Sequence, residues 1–207
     1  MGFLADSQND LVNAYIQEGK YDDAIEYINT LLAKDPTNDE LLLMIADIQY
    51  KKGEINKASK AVDFLNANTD NKDPMGLYVK GVLEMEKNHR KQARDFLLKA
   101  MEKLDKDNHE IMRCYALSEY WYGNREKGLY HLERAHDLHR YDAEIIYNMV
   151  ELYLLEKKYR KAEELIQFFY NNKEDLEIYD KKLAFYESKM KIFSAYITTY
   201  NTKKKIS

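Results

Sequence analysis

Apolar and polar positions along this chain recur with helical rather than strand periodicity, in segments roughly a dozen residues long. The clearest early segment places Tyr21, Ala24, Ile25, Ile28, Leu31 and Leu32 on one stripe. Asp22, Asp23, Glu26 and Asn29 fall on the opposite face, so the spacing predicts an amphipathic helix. The breaks between segments repeat as well. Gly19 to Ala24 reads Gly-Lys-Tyr-Asp-Asp-Ala, and a similar hexapeptide starts at Gly53, Asn88, Gly123 and Lys157, at steps of 34, 35, 35 and 34 residues. Gly and Asn at four of these five positions suit a left-handed residue between two helices.

Two further series keep the same period. Seven residues before each break lie Val12, Ala46, Gly81, Ala116 and Val150. Within each hexapeptide the last residue is Ala24, Ala58, Ala93, Gly128 and Ala162. Small residues on both helices of a pair let the two approach closely. Helix starts agree with the register. Thr37 with Glu40 and Asp107 with Glu110 read as capping boxes, and Asp73-Pro74 as a cap with proline in the first turn. Pro36 falls where the second helix of the first pair should stop. The expectation is an all-α chain of five helix-turn-helix repeats, 5–38, 39–73, 74–108, 109–142 and 143–174, followed by a C-terminal helix and basic tail in 175–207. With 2 Pro and 7 Gly the chain holds little material for the turns of a β-sandwich or barrel.

These residues resemble the tetratricopeptide repeat, most fully in the first pair: Leu11, Val12, Tyr15, Gly19, Tyr21, Ala24, Ile28 and Pro36. Gln49, Glu84 and Glu119 depart from the pattern where the family has tyrosine, and Gly128 where it has alanine. The resemblance spans about residues 5 to 175. It implies a right-handed α-solenoid whose first helices line a concave groove, and a protein that binds other proteins. Sorting each first helix at about 100° per residue then assigns a groove-facing stripe. In repeat one it holds Asp6, Asn9, Asn13, Ile16 and Gln17. In repeat two it holds Leu43, Asp47 and Tyr50, with Glu40 and Lys51 beside them, and in repeat three Tyr78, Val82 and Met85, with Met75 and Glu86. Repeat four contributes Glu110, Arg113, Leu117, Tyr120 and Trp121, and repeat five Tyr147, Glu151 and Leu154, with Glu144 and Leu155. Large apolar side chains interleaved with acids predict a partner that is an amphipathic, partly basic peptide or helix. Some members of the family clamp a C-terminal carboxylate with a ring of Lys, Asn and Arg. The corresponding places here are Asn9, Asn13, Met44, Met75 and Val79, so that activity is not expected.

Charge adds an exclusion. Lys and Arg number 32 against 36 Asp and Glu, a net −4, which is the wrong sign for a general nucleic-acid binder. The longest apolar run, Leu41 to Ala46, is six residues, far short of the ~20 of a membrane span. With one cysteine, Cys114, there is no disulfide framework, and a cytoplasmic protein, or a piece of a longer one, is expected. Neither a catalytic site nor a cofactor or metal site is expected. His131, His136 and His139 lack the spacing of a metal pair, and no phosphate loop or hydrolase motif occurs. Lys203 to Lys205 reads as a solvated end.

The C-terminal helix, placed at about 175 to 201, has a heptad-spaced row: Tyr179, Leu183, Tyr186, Met190, Phe193, Ile197 and Tyr200. Ile178, Phe185 and Ile192 flank it. The first half suits a cap over repeat five. Phe193, Tyr196, Ile197 and Tyr200 lie past the reach expected of such a cap, and are expected to form an association surface. Two functions therefore stand side by side: an adaptor that captures a partner in its groove, and a self-assembling protein that forms a homo-oligomer through the groove or this helix.

Overall fold

The computed structural model describes residues 10–70, 72–104, 107–178 and 182–206. Asp6, Asn9 and Tyr179 lie outside them. The chain is all-α and divides into two compact units, one ending at Asp107 and one beginning at Asn108. In the first unit α1 (Asp10–Gln17) pairs with α2 (Tyr21–Leu32), α3 (Asp39–Lys51) with α4 (Ile55–Asn68), and α5 (Pro74–Glu86) with α6 (Arg90–Glu102). In the second, α7 (His109–Tyr122) pairs with α8 (Arg125–Leu138) and α9 (Ala143–Leu155) with α10 (Tyr159–Asn171). A single long helix, α11 (Leu183–Ile206), packs on both α9 and α10.

Each pair turns in the same way. Gly19, Gly53, Asn88, Gly123 and Lys157, the five break residues, all have positive φ. The residue after each donates its N–H to a carbonyl five residues back: Lys20 to Tyr15, Glu54 to Gln49, His89 to Glu84, Asn124 to Glu119 and Lys158 to Tyr153, at 2.8–3.0 Å. One left-handed residue thereby lets the chain close a first helix and start the second at once.

The small-residue series is buried at every repeat. Val12, Ala46, Ala116 and Val150 on the first helices are 0% exposed, as are Ala24, Ala58, Ala93 and Ala162 on the second. Glycine at two of these places marks tighter contacts. A Cβ on Gly81 would lie 2.5 Å from Leu97 Cγ on α6, and one on Gly128 2.7 Å from the backbone oxygen of Ala116 on α7. Gly128 is therefore no weakening of the fourth pair; it is the condition for α7 and α8 to meet as closely as they do.

Helix starts need a one-residue correction. Asn38, not Thr37, caps α3, its side chain accepting from Leu41 N–H at 3.1 Å. Asn108, not Asp107, caps α7, accepting from Ile111 N–H at 3.0 Å. Asp73 caps α5 with Pro74 in the first turn, as the sequence implies. Asp142 caps α9 through the N–H groups of Glu144 and Ile145. The C-terminal helix starts at Leu183 rather than near 175. Ahead of it, residues 172–178 run back along the α8–α9 turn, where Ala143 donates to Glu177 O at 3.1 Å and Glu177 donates to Tyr141 O at 2.9 Å.

Candidate functional site: the first-helix faces

Much of the stripe assigned to a groove is spent on packing. Leu43, Asp47, Tyr78, Val82, Arg113, Leu117 and Tyr120 are all 9% exposed or less. Tyr50, Met85, Glu110, Tyr147, Glu151 and Leu154 are half-buried. The physical reason is that neighbouring first helices within a unit stand close enough for these side chains to touch one another. In the first unit the Tyr50 hydroxyl donates to Glu86 Oε1 at 3.0 Å, and Lys51 pairs with Asp47 at 2.9 Å. In the second, Arg113 lies between α7 and α9. It donates from Nε to Glu110 Oε2 at 2.7 Å and from Nη1 to Asn148 Oδ1 at 2.8 Å, with Glu144 3.6 Å away. Tyr120 donates to Glu156 Oε1 at 2.7 Å, and Arg125 shares that carboxylate at 3.3 Å. Burial and then Glu156 push the Tyr120 phenol up to about 12.

What stays open in the second unit is Trp121, 43% exposed at the end of α7, and Leu155, 51% exposed at the end of α9. They are 34 residues apart, at the same register position on successive first helices. Trp121 rests edge-on against Tyr120, ring centroids 5.2 Å apart, so a rigid base holds an open indole. Glu156 follows Leu155, and half-buried Glu151 lies one turn before it.

The positions where tyrosine gives way to a polar residue form a second system, which the sequence flags only as departures. Glu84 and Glu119 are 6% and 2% exposed. Glu84 meets His89 Nδ1 at 2.7 Å, Lys87 at 3.2 Å and Lys80 at 3.5 Å. Glu119 accepts from the Tyr115 hydroxyl and the Asn124 amide, and from Lys127 at 2.7 Å. Burial raises both carboxyls, but these hydrogen bonds and charges outweigh it and hold both below the usual range. They are satisfied internal acids rather than a proton-transfer pair. At the same position in repeat five Tyr153 donates to Glu133 on α8 at 2.6 Å.

Cys114 is buried, and burial pushes its thiol well above the ordinary range, the opposite of an activated thiolate. Among the described residues no group of three or more His, Cys, Asp or Glu could hold a metal ion, and no helix is long and apolar enough to cross a membrane.

On α11 the structure corrects the expected reach of the cap. Tyr186, Met190 and Ile197 are 2% exposed or less within the chain itself. Phe193 stacks on Tyr147 at 6.0 Å, and Tyr200 lies 4.1 Å from the Tyr159 ring. The helix leans along α9 and the start of α10, so repeat five covers Ile197 fully and Phe193 in part, while Tyr200 touches Tyr159 and stays 39% exposed; Ile197 is unavailable for association. Tyr196, 54% exposed with its ring 6.2 Å from Tyr159, lies in a row with Phe185 and Ile192, 45% and 58% exposed.

The family model for the tetratricopeptide repeat matches residues 15–76. No curated protein matches the chain closely enough in sequence to count as a relative. Among solved structures, a tetratricopeptide repeat protein from Parabacteroides merdae ATCC 43184 superimposes with a TM-score of 0.73 at 17% identity, over 95% of this chain and 72% of that one. TTC0263, a thermophilic TPR protein of Thermus thermophilus, gives 0.68 at 23% identity, over 87% and 95%. YrrB, described as a TPR protein with an unusual peptide-binding site, gives 0.60 at 16% identity, over 86% and 88%. A fold shared with such repeats and five turns of one geometry show a TPR-like array of helix pairs, and within it residues 15–76 match the tetratricopeptide repeat family itself.

Proposed function

We propose that the protein is a non-catalytic adaptor that holds an amphipathic, partly basic segment of another protein against its first helices. The observation that carries this reading is the pair Trp121 and Leu155, large apolar side chains left open at one register position on α7 and α9. Aromatic anchors of this kind supply most of the energy at protein interfaces, because they bury a large area with few rotatable bonds. Glu151 nearby favours Lys or Arg beside the partner's apolar anchors, Glu156 being shared already by Tyr120 and Arg125. Tyr50 and Met85 in the first unit and Leu154 in the second, all half-buried, extend the face, while Tyr147 is covered by the α11 rings of Phe185, Tyr186 and Phe193. Peptide binding by YrrB, a protein of the same fold, is in keeping with this use.

The test is capture of the partner from native cells with the wild-type chain, followed by calorimetry on the isolated partner segment. Trp121→Ala with Leu155→Ser should weaken binding by ~2 kcal/mol or more and leave the helical circular dichroism unchanged. Tyr120 is kept intact, since it is packed and bonded to Glu156. Unchanged affinity would move the site off this face.

A second reading has its own observation. Phe185, Ile192 and Tyr196 form an open apolar row at steps of seven and four on α11. A homo-oligomer built on that row should dissociate in Ile192→Lys, measured by sedimentation velocity over a concentration series. A wild-type chain that is monomeric at high micromolar concentration rejects this reading.

A further inference from the structure

The α9–α10 turn and the last turns of α11 border a shallow, open cleft of about 530 Å³. Lys157 and Lys158 form the turn, Arg160 and Lys161 lie in the first turn of α10, and Lys204 reaches in from α11. Tyr159 and Tyr200 lie among them, their ring centroids 4.1 Å apart. Among the described residues the lining contains five cations and no carboxylate. On a chain of net charge −4, that concentration is local and does not follow from composition.

Arg160, Lys161 and Lys158 also face acids outside the lining, Lys158 sharing Glu133 with Lys161. Arg160 Nε is 3.4 Å from Glu164, and Lys161 Nζ is 3.1 Å from Glu133. The Arg160 pair is open to water, 89% and 64% exposed, and cancels little of the field. Lys158 and Lys161 lay their ammonium groups 6.0 and 5.2 Å from the Tyr153 ring centroid, which fixes their stems beside the cleft. Lys158 is the N-cap of α10 and makes no side-chain cap hydrogen bond, so the positive end of that helix adds to the lysines.

We infer that this cleft binds an acidic segment of a partner protein, one that presents two or more Asp or Glu side chains together. The volume suits a few side chains. The five cations border one short cleft, whereas a nucleic-acid backbone is tracked by a longer charged groove. The Tyr159–Tyr200 pair gives an apolar side chain next to the carboxylates a surface to lie on. Its charge preference is opposite to that of the Trp121–Leu155 face, so the two surfaces sort different partners, or two parts of one partner.

The probe is a fluorescein-labelled octaglutamate peptide, followed by fluorescence anisotropy, with octalysine and an oligodeoxythymidylate eight nucleotides long as the other arms. The wild-type chain should bind octaglutamate and not octalysine. Lys158→Gln, Arg160→Gln and Lys204→Gln together should weaken it at least about tenfold, with affinity that falls as salt rises. Lys91→Gln, Lys99→Gln and Lys103→Gln, an equal charge change on α6 and the residue after it, should leave it within about twofold. Carbodiimide coupling should join octaglutamate to Lys157, Lys158, Lys161 or Lys204. Binding should persist in the Trp121→Ala, Leu155→Ser variant, which separates this site from the adaptor face. Absence of binding at high micromolar concentration, equal loss in both lysine sets, coupling elsewhere, or tighter binding of the oligonucleotide would each overturn the inference.

Discussion

The hydroxyl of Tyr120 donates to Glu156 across 36 residues of sequence, joining the end of α7 to the residue that follows α9. The same bond occurs two repeats earlier, from Tyr50 to Glu86, at 3.0 Å and again 36 residues apart. In both places a first helix is tied to the next by a phenol and a carboxylate at matching register. Tyr120→Phe keeps the ring and removes the bond. It should cost about 1 kcal/mol in urea unfolding of the second unit. Tyr50→Phe, on a half-buried ring whose bond is open to water, should cost less. Equal, negligible losses would make the bond incidental to packing.

Acid should destabilise the fold in two stages. Burial first, aided by nearby cations, lowers the proton affinity of His131 and His136, so the unfolded chain binds those protons more readily. Stability should begin to fall as pH drops through the ordinary histidine value near 6.5. Glu84 and Glu119 are held below the usual carboxylate range, so their contribution is present above about pH 4.5 and lost as pH falls through their folded values. Asp142 acts in the other sense, since burial raises it. Glu84→Gln with Glu119→Gln should lower stability at pH 7 and flatten the second stage. Denaturant unfolding at pH 7, 5.5 and 3.5 measures both.

Gly128→Ala restores the residue found at the other four repeats, yet it should destabilise the chain by ~1–3 kcal/mol. Its Cβ meets backbone on α7, which has no rotamer with which to give way. Gly81→Ala meets mainly the Leu97 side chain and should cost less. Thermal unfolding of the two variants orders them; a stabilised Gly128→Ala would mean that α7 and α8 separate at little cost.

Ile197→Ala should lose about 2 kcal/mol or more from the second unit, because a buried methylene cluster between α11 and repeat five is hollowed out. Removing residues 192–207 should likewise melt repeat five, rather than leave it folded and merely dissociated. An unchanged melting temperature for the truncated chain would return the distal helix to an association role.

The repeat was legible because three features with independent chemistry shared one period: a left-handed turn residue, and a small residue on each side of the helix pair. Lys157 has no conformational advantage at its turn, and only the period predicts its positive φ. The face was read less well. Angular sorting puts Arg113 and Tyr120 on the groove-facing stripe of α7. It does not tell that Asn148, Glu144 and Glu156 are waiting there to occupy them. The same blindness applied to α11. Heptad spacing describes an apolar seam equally well whether the seam meets another chain or, as with Phe193 on Tyr147, this one. The basic cleft escaped notice because its residues come from 157–161 and 200–204, and only the fold brings the two segments together.

Lys157 sits at a place where thermostability and recognition are in direct conflict. A lysine with φ of 56° carries a steric strain that glycine avoids, on the order of 1 kcal/mol. Lys157→Gly would therefore be an attractive choice for a hardened variant, and it matches the residue at three of the other four turns. It would also take one of five positive charges from the cleft. A selection for heat resistance alone should drift toward glycine at this position, while a selection that keeps the acidic partner should hold lysine there against the strain.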